Sequence, residues 1–312
     1  MKINVTGSTA YDRILYFDGS FKDHFLPDKI HALSVSFPIE TIEESFGGAG
    51  ANIAYNLKLL GIDPILYSVV GGDGNRYLEY FSRIKISREH VIPLPEKLTP
   101  QAHIMSDRDN NQITGFHQGA GSDIYPGEFP VGSDSITIIA PSYAKEMLAF
   151  AEHCKANDMR YIFDPGQQTP TFTPEEYRTC VGNAWIFVAN DYEMALSLAK
   201  LGWTEEELYQ RVPVVITTLG EEGSRIHTEG SVIEVDKVPA DVVTDPTGAG
   251  DAYRAGLIKG LAMDLSIREC AQLASAAASY AIETQGTQNH TFSLADIKAR
   301  YEKRFGDILN IH

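Results

Sequence analysis

TDPTGAGDAYRAGL, running from Thr244 to Leu257, sets Pro246, Gly248 and Gly250 just before one carboxylate, Asp251, where an Ala-rich stretch begins. Val242 and Val243 before it read as the end of a strand, and Ala252 to about Ile282 is helical in character. The Gly248-Ala249-Gly250 step therefore falls at a helix N-terminus, where unpaired N–H groups and the positive end of the dipole converge on an anion. Asp251 lies in the first turn. A carboxylate there can take a proton from an attacking hydroxyl while the amides hold the developing charge, which suits phosphoryl transfer to an alcohol. The plainer reading is a turn made by glycines followed by a favourable first-turn acid. The stretch alone leaves both open.

Outward from this turn, short runs rich in Val and Ile alternate with helical ones. The β-rich runs are INVTG (3–7), PILYSVVG (64–71), RYIFDP (160–165), AWIFVAN (184–190) and VPVVITTLG (212–220). Between the first two, NIAYNLKLLG (52–61) puts Ile53, Leu57 and Leu60 on one helical face before Gly61 supplies a stop. Such alternation indicates a parallel sheet covered on both faces by helices, an α/β fold. Two stretches break the rhythm. Residues 12–46 and 100–118 alternate without helices between them, and the second carries Asn110 and Asn111 where a hairpin turn would fall. Together they read as a small β lid inserted beside the main sheet, with extra edge strands of that sheet as the alternative. No linker or repeat divides the chain, so residues 1–312 read as one domain.

The composition limits the partners. A formal net charge of −16, with no Lys- or Arg-rich run, argues against nucleic acid or an anionic membrane. Polyanionic small substrates stay possible, because backbone N–H groups and a metal ion can build phosphate sites. Cys154, Cys180 and Cys270 are far apart and odd in number, which supports neither a disulfide framework nor a zinc site. With no leader-like N-terminus and no run of roughly 18 apolar residues, a cytoplasmic protein is expected. No Gly-Lys-Ser/Thr step occurs, and GGAGAN (47–52) lacks the third glycine of the dinucleotide fingerprint.

The stretch 244–257 resembles the C-terminal signature of the PfkB/ribokinase family of carbohydrate and nucleoside kinases. FGGAGANIAYNLKLLG (46–61) is similar to the family's N-terminal di-glycine signature, and NDYE (190–193) and TTLGEEGS (217–224) follow in the family's order. DNNQIT (109–114), FDPGQ (163–167) and DPTGAGDAYRAG (245–256) look most like the archaeal-type and bacterial nucleoside kinases. The resemblance implies a ribokinase-like parallel sheet flanked by helices, with ATP and Mg2+ as cofactors and a nucleoside as acceptor. It leaves open a potassium requirement and a homodimer paired through the lid. A sugar kinase of the same family is the alternative, and a nucleoside-binding sensor that has lost catalysis is the alternative of another class.

Roles carry over on matching positions. The resemblance makes Asp251 the general base and Gly248, Ala249 and Gly250 the anion hole. Asn190 and Glu193 would hold phosphates and magnesium, Glu193 through water, although NDYE reads equally as a capping box. Thr218 and Gly220 fall where the family contacts ATP. Asp12 would accept two neighbouring hydroxyls, with Gly47, Gly48 and Asn52 approaching the same ring. Gln112 is a candidate for a nucleobase edge and Phe116 for stacking on the base. Arg254, one turn after Asp251, reads as a phosphate contact or, more simply, as an ion pair with a nearby acid.

Overall fold

The computed structural model describes residues 1–25, 34–109, 111–132, 134–306 and 308–309. In chain order its strands are β1 (Lys2–Thr6), β2 (Ala10–Phe17), β3 (Thr41–Gly47), β4 (Ile65–Gly71), β5 (Val91–Leu94), β6 (Gln101–Asp107) and β7 (Gln112–His117). They continue with β8 (Ser135–Ile139), β9 (Tyr161–Phe163), β10 (Ile186–Asn190), β11 (Val214–Thr218), β12 (Ser224–Thr228) and β13 (Ser231–Val235). The helices are α1 (Ala49–Leu59), α2 (Asn75–Arg83), α3 (Ala144–Ala156), α4 (Pro174–Gly182), α5 (Asp191–Leu201), α6 (Glu205–Arg211), α7 (Ala249–Ala262), α8 (Ile267–Ala281) and α9 (Leu294–Phe305).

Nine strands form the main sheet in the order β13-β12-β11-β10-β9-β8-β1-β4-β5. From β11 through to β5 every pairing is parallel, and only β12 and β13 run antiparallel, as a hairpin on the edge. Central strands such as SITII in β8 and IFVA in β10 are buried on both faces, which is why they read as continuous apolar runs. One face packs against α1, α2, α7, α8 and α9 through residues such as Ile53, Leu57, Phe81, Leu257 and Ile297. The other packs against α3 to α6 through Met147, Phe150, Tyr177 and Leu208.

β1 sits between β8 and β4, and the chain winds away from it in both directions. That makes the β1/β8 boundary a switch point, where the loops leaving the carboxyl ends diverge and open a crevice. The Ser8 N–H donates to the Pro141 carbonyl across this boundary at 3.1 Å.

The two irregular stretches do not extend the main sheet. They form a separate four-stranded sheet in the order β3-β2-β6-β7, with β2 and β6 parallel and the outer pairings antiparallel. Asn110, expected at the hairpin turn, lies outside the described residues, as do 26–33 of the first lid segment. Asn111 stands at that turn and donates from its backbone N–H to Asp107 Oδ1 at 2.8 Å.

Two expectations fail locally. Val242 and Val243 are exposed and belong to no strand, because the N–H groups just after them, on Thr244 and Asp245, bind the Ile282 carbonyl at the end of α8 (2.8 and 3.2 Å). The stretch from Ala252 to Ile282 is two helices. Asp264, at φ +58°, turns the chain, and Ser266 with Glu269 caps the second helix in a reciprocal box. Cys154, Cys180 and Cys270 are free and buried. Among the described residues no helix is long and apolar enough to cross a membrane.

α7 and α8 pack so closely that a Cβ on Gly256 would lie 2.6 Å from Ala274 Cα and 2.9 Å from its nitrogen. Because backbone must move to admit it, Gly256→Ala is expected to destabilise the fold by about 1–3 kcal/mol, read as a lower urea midpoint. An unchanged midpoint would mean that the two helices are not held at this spacing.

Candidate active site

At the switch point, three cavities lie end to end. The first, about 510 Å³, is roofed by β2, β6 and β7 and lined by Asp12, Gly48, Phe116 and Glu146 among others. The second, also about 510 Å³, is lined by Asp164, Asn190, Glu193, Gly248, Gly250, Asp251 and Arg254. It shares Pro141, Gly166, Gln167 and Glu193 with the first. The third, about 210 Å³, lies between Lys237, Val238, Tyr253 and Ser279, and shares Thr218, Gly220 and Gly250 with the second. Asp251 stands in the middle cavity, between the two ends.

The start of α7 explains why. Gly248 caps the helix at φ +84°, in the left-handed region that glycine enters without strain, and the first helical bond runs from Ala252 N–H to the Gly248 carbonyl at 3.0 Å. The N–H groups of Gly250 and Asp251 therefore have no acceptor within the helix. Ala249 differs from the expectation set for it: its N–H is already turned to the Pro246 carbonyl at 3.3 Å, and it faces the third cavity rather than the second. The Nη1 of Arg254 takes its place beside Gly250, 2.7 Å from where a Cβ there would sit.

Arg254 is fixed by Asp164, from the FDPGQ stretch. Its Nε donates to Asp164 Oδ2 at 2.6 Å and its Nη2 to Oδ1 at 3.0 Å, with both side chains buried. The pair is bidentate and charge-assisted, the stronger kind.

Asp251 Oδ2 accepts from Asn52 Nδ2 at 2.8 Å. Asn52 does not line the first cavity; it is buried and holds the carboxylate. Its own Oδ1 accepts from Thr287 Oγ1 at 2.9 Å and Gln288 Nε2 at 2.8 Å, which fixes which end of the amide meets Asp251. Thr287 and Gln288 were missed in the sequence, where TQGTQNH (284–290) is only a polar stretch between two helices.

Burial raises the Asp251 carboxyl to about 7, against the hydrogen bond from Asn52 and the charge of Arg254, with smaller upward pushes from Asp164 and Asp12. Asp12, on β2, is raised to about 6 by burial and then by Asp245. A side chain at Gly47 would occupy the space of the Asp12 carboxylate, and a Cβ at Gly48 would lie 2.6 Å from the Ala10 nitrogen, so the two glycines let β3 close over Asp12. Asn190 and Glu193 do form the capping box of α5, with Oδ1 accepting from Glu193 N–H at 2.7 Å and Oε2 accepting from Asn190 N–H at 2.9 Å. Both also line the middle cavity. Burial raises the Glu193 carboxyl, helped by Asp164. Gln112 lies on the same face of β7 as Thr114 and Phe116 but beyond the residues that line the cavity.

The pfkB family carbohydrate kinase pattern matches residues 2–293. The chain belongs to the pfkB family. It is a phosphotransferase acting on a hydroxyl group. It is 31% identical to the nucleoside kinase of Methanocaldococcus jannaschii over 304 residues, covering 97% of each protein. The structure is similar to Burkholderia thailandensis nucleoside kinase in complex with inosine, with a TM-score of 0.87, 34% identity, and coverage of 98% of this chain and 100% of that one. The same enzyme in complex with ADP-inosine gives a TM-score of 0.84 at 36% identity, covering 99% of this chain and 98% of that one.

A carboxylate held this far from water burdens the fold. Folded Asp251 titrates near 7 and an unfolded aspartate near 3.8, so its stability contribution is complete below pH about 4 and lost as pH rises through 7. Asn at this position does not titrate. Asp251→Asn is therefore expected to be more stable than the parent at pH 8, by about 1–3 kcal/mol after allowing for solvent near the site, with the gain shrinking toward pH 4.5. Urea unfolding at the two pH values checks this; a variant less stable at both would contradict it.

Proposed function

We propose that this pfkB-family kinase transfers the γ-phosphate of ATP to the 5′-hydroxyl of a nucleoside, with Asp251 as general base. The observation that carries the reading is the acceptor cavity joined to Asp251. Among its lining residues Asp12, Glu146 and Glu193 are charged, and none is Lys, Arg or His. Three carboxylates without a cation disfavour a phosphorylated sugar and suit a neutral acceptor rich in O–H and N–H donors. Its size exceeds what a free pentose needs and leaves room for a base against Phe116.

In this reading Asp12 accepts two neighbouring ribose hydroxyls, and the 5′-hydroxyl reaches the middle cavity. Asp251 takes its proton as the oxygen attacks the γ-phosphorus, and the bond to the bridging oxygen of ADP breaks, with no covalent enzyme intermediate. The Gly250 and Asp251 N–H groups and Arg254 Nη1 receive the developing charge. ATP reaches across Thr218 and Gly220, its adenine in the third cavity beside Tyr253. Magnesium, when bound, neutralises charge on the phosphates. Glu193, whose cap uses Oε2, would hold it through water, in keeping with an ion that keeps most of its own hydration. The four-stranded sheet acts as the lid that excludes water. Its exposed Ile42 and Ile113 offer a face for pairing with a second copy. Buried free cysteines and the acidic surface suit a reducing, cytoplasmic setting.

ATP consumption across a panel of acceptors tests the assignment. Adenosine, inosine, guanosine or cytidine is expected to give kcat/KM well above ribose, fructose or fructose phosphates, with 2′-deoxynucleosides weaker by about 1–3 kcal/mol for the hydroxyl lost to Asp12. Asp251→Asn should lower kcat roughly 10²–10⁴-fold. Turnover of a free sugar and of no nucleoside would overturn the acceptor assignment.

A further inference from the structure

One carboxylate in the acceptor cavity has no part in this mechanism. Glu146, in the first turn of α3, is 5% exposed, lines the cavity and has no ion-pair partner among the described residues. α3 begins just after Pro141, where β8 gives way to the crevice, so the helix start delivers Glu146 to the cavity from the main-sheet side, while Asp12 enters on the lid strand β2. The Ser142 hydroxyl and the Tyr125 N–H lie close enough to favour its charged form, yet Ser142 Oγ makes no well-formed hydrogen bond. Burial outweighs both neighbours and raises the carboxyl to about 7. A side chain kept only for packing would be apolar, since a buried carboxylate without a cation beside it is costly. Further donors are expected to arrive with the substrate.

We propose that Glu146 is a specificity residue that reads the N1–H edge of a 6-oxopurine nucleoside. The proposal rests on the nucleoside reading above and adds which base the cavity favours. Donors on the base would favour the charged form of Glu146, and an ionised carboxylate offers acceptors only. Guanine presents two adjacent donors, N1–H and the 2-amino group, that match its two oxygens, and hypoxanthine presents N1–H. Adenine offers a lone pair at N1 instead, which faces the carboxylate unfavourably. With Asp12 taking the ribose hydroxyls from β2 and Glu146 taking the base edge from α3, the acceptor is held by two carboxylates from different elements, and Phe116 of β7 lines the same cavity.

The test compares kcat/KM for guanosine and adenosine in the parent and in Glu146→Gln at pH 8.5, where the Glu146 carboxyl is mostly ionised. Glutamine keeps the size but turns one acceptor into a donor that meets the guanine donors head on and suits the adenine edge. The guanosine-to-adenosine ratio should fall roughly 10- to 100-fold, the effect of mispairing a hydrogen bond to a charged group. Loss of packing alone would depress both nucleosides together, and an unchanged ratio or a parallel loss overturns the proposal. Should the variant not fold, the unaltered protein decides. Purine riboside, smaller than guanosine and lacking N1–H, should be a worse acceptor by a similar factor, and equal turnover overturns the proposal. If the parent phosphorylates no nucleoside, both this inference and the nucleoside reading fall; if it phosphorylates them without these preferences, only this inference does.

Discussion

The site depends on keeping one carboxylate, Asp251, at the start of α7 with little water around it. An acid in the first turn of a helix is ordinarily stabilised in its charged form by the dipole and free N–H groups. Here burial dominates and lifts the carboxyl to about 7. A carboxylate with that affinity for protons holds a sizeable share of both forms near neutrality, which the usual aspartate does not. The fold maintains the arrangement by tying down its surroundings: Asn52 from α1 meets one oxygen, and the Thr287–Gln288 loop fixes Asn52.

Charge is distributed around this point with the same logic. The buried Asp164–Arg254 pair lines the middle cavity, with the cation beside the start of α7 and its partner held two strands from β1, at the end of β9. Such a pair contributes little net stability when compared with apolar side chains, but breaking it leaves a lone buried charge. Its value here is positional. The Asp164 carboxylate leaves Nη1 as the nitrogen next to Gly250, beside the unpaired amides. The first cavity is lined by carboxylates and no cation, whereas the middle one sets the Arg254 guanidinium among Asp164, Asp191, Glu193 and Asp251, so the cation beside α7 is what distinguishes the two.

Much of this was legible in the sequence, because the signals were local. Val/Ile runs marked the parallel strands β4, β9, β10 and β11, and Gly248 and Gly250 announced a helix start that the backbone confirms. The simpler reading of Arg254, an ion pair, is what its guanidinium does through Nε and Nη2. What could not be read depended on contacts far apart in the chain. Nothing in residues 284–290 says that Thr287 and Gln288 orient an amide more than two hundred positions earlier. Val242 and Val243 have the composition of a strand but their segment is tied to the end of α8, and tertiary hydrogen bonds override that propensity. Gln112 was singled out for its amide, while Glu146, which does line the cavity, carries no motif that would single it out.

The most direct test of Asp251 as a desolvated base is the pH dependence of kcat/KM with a nucleoside acceptor. The account requires an acid limb with a midpoint near 7, far above an ordinary aspartate, because activity needs the deprotonated form. It also requires that Asn52→Ala move this limb to higher pH, since Asn52 donates to Asp251 and favours its charged form. A profile flat from pH 5 to 9, or a limb that stays in place when Asn52 is removed, would contradict it.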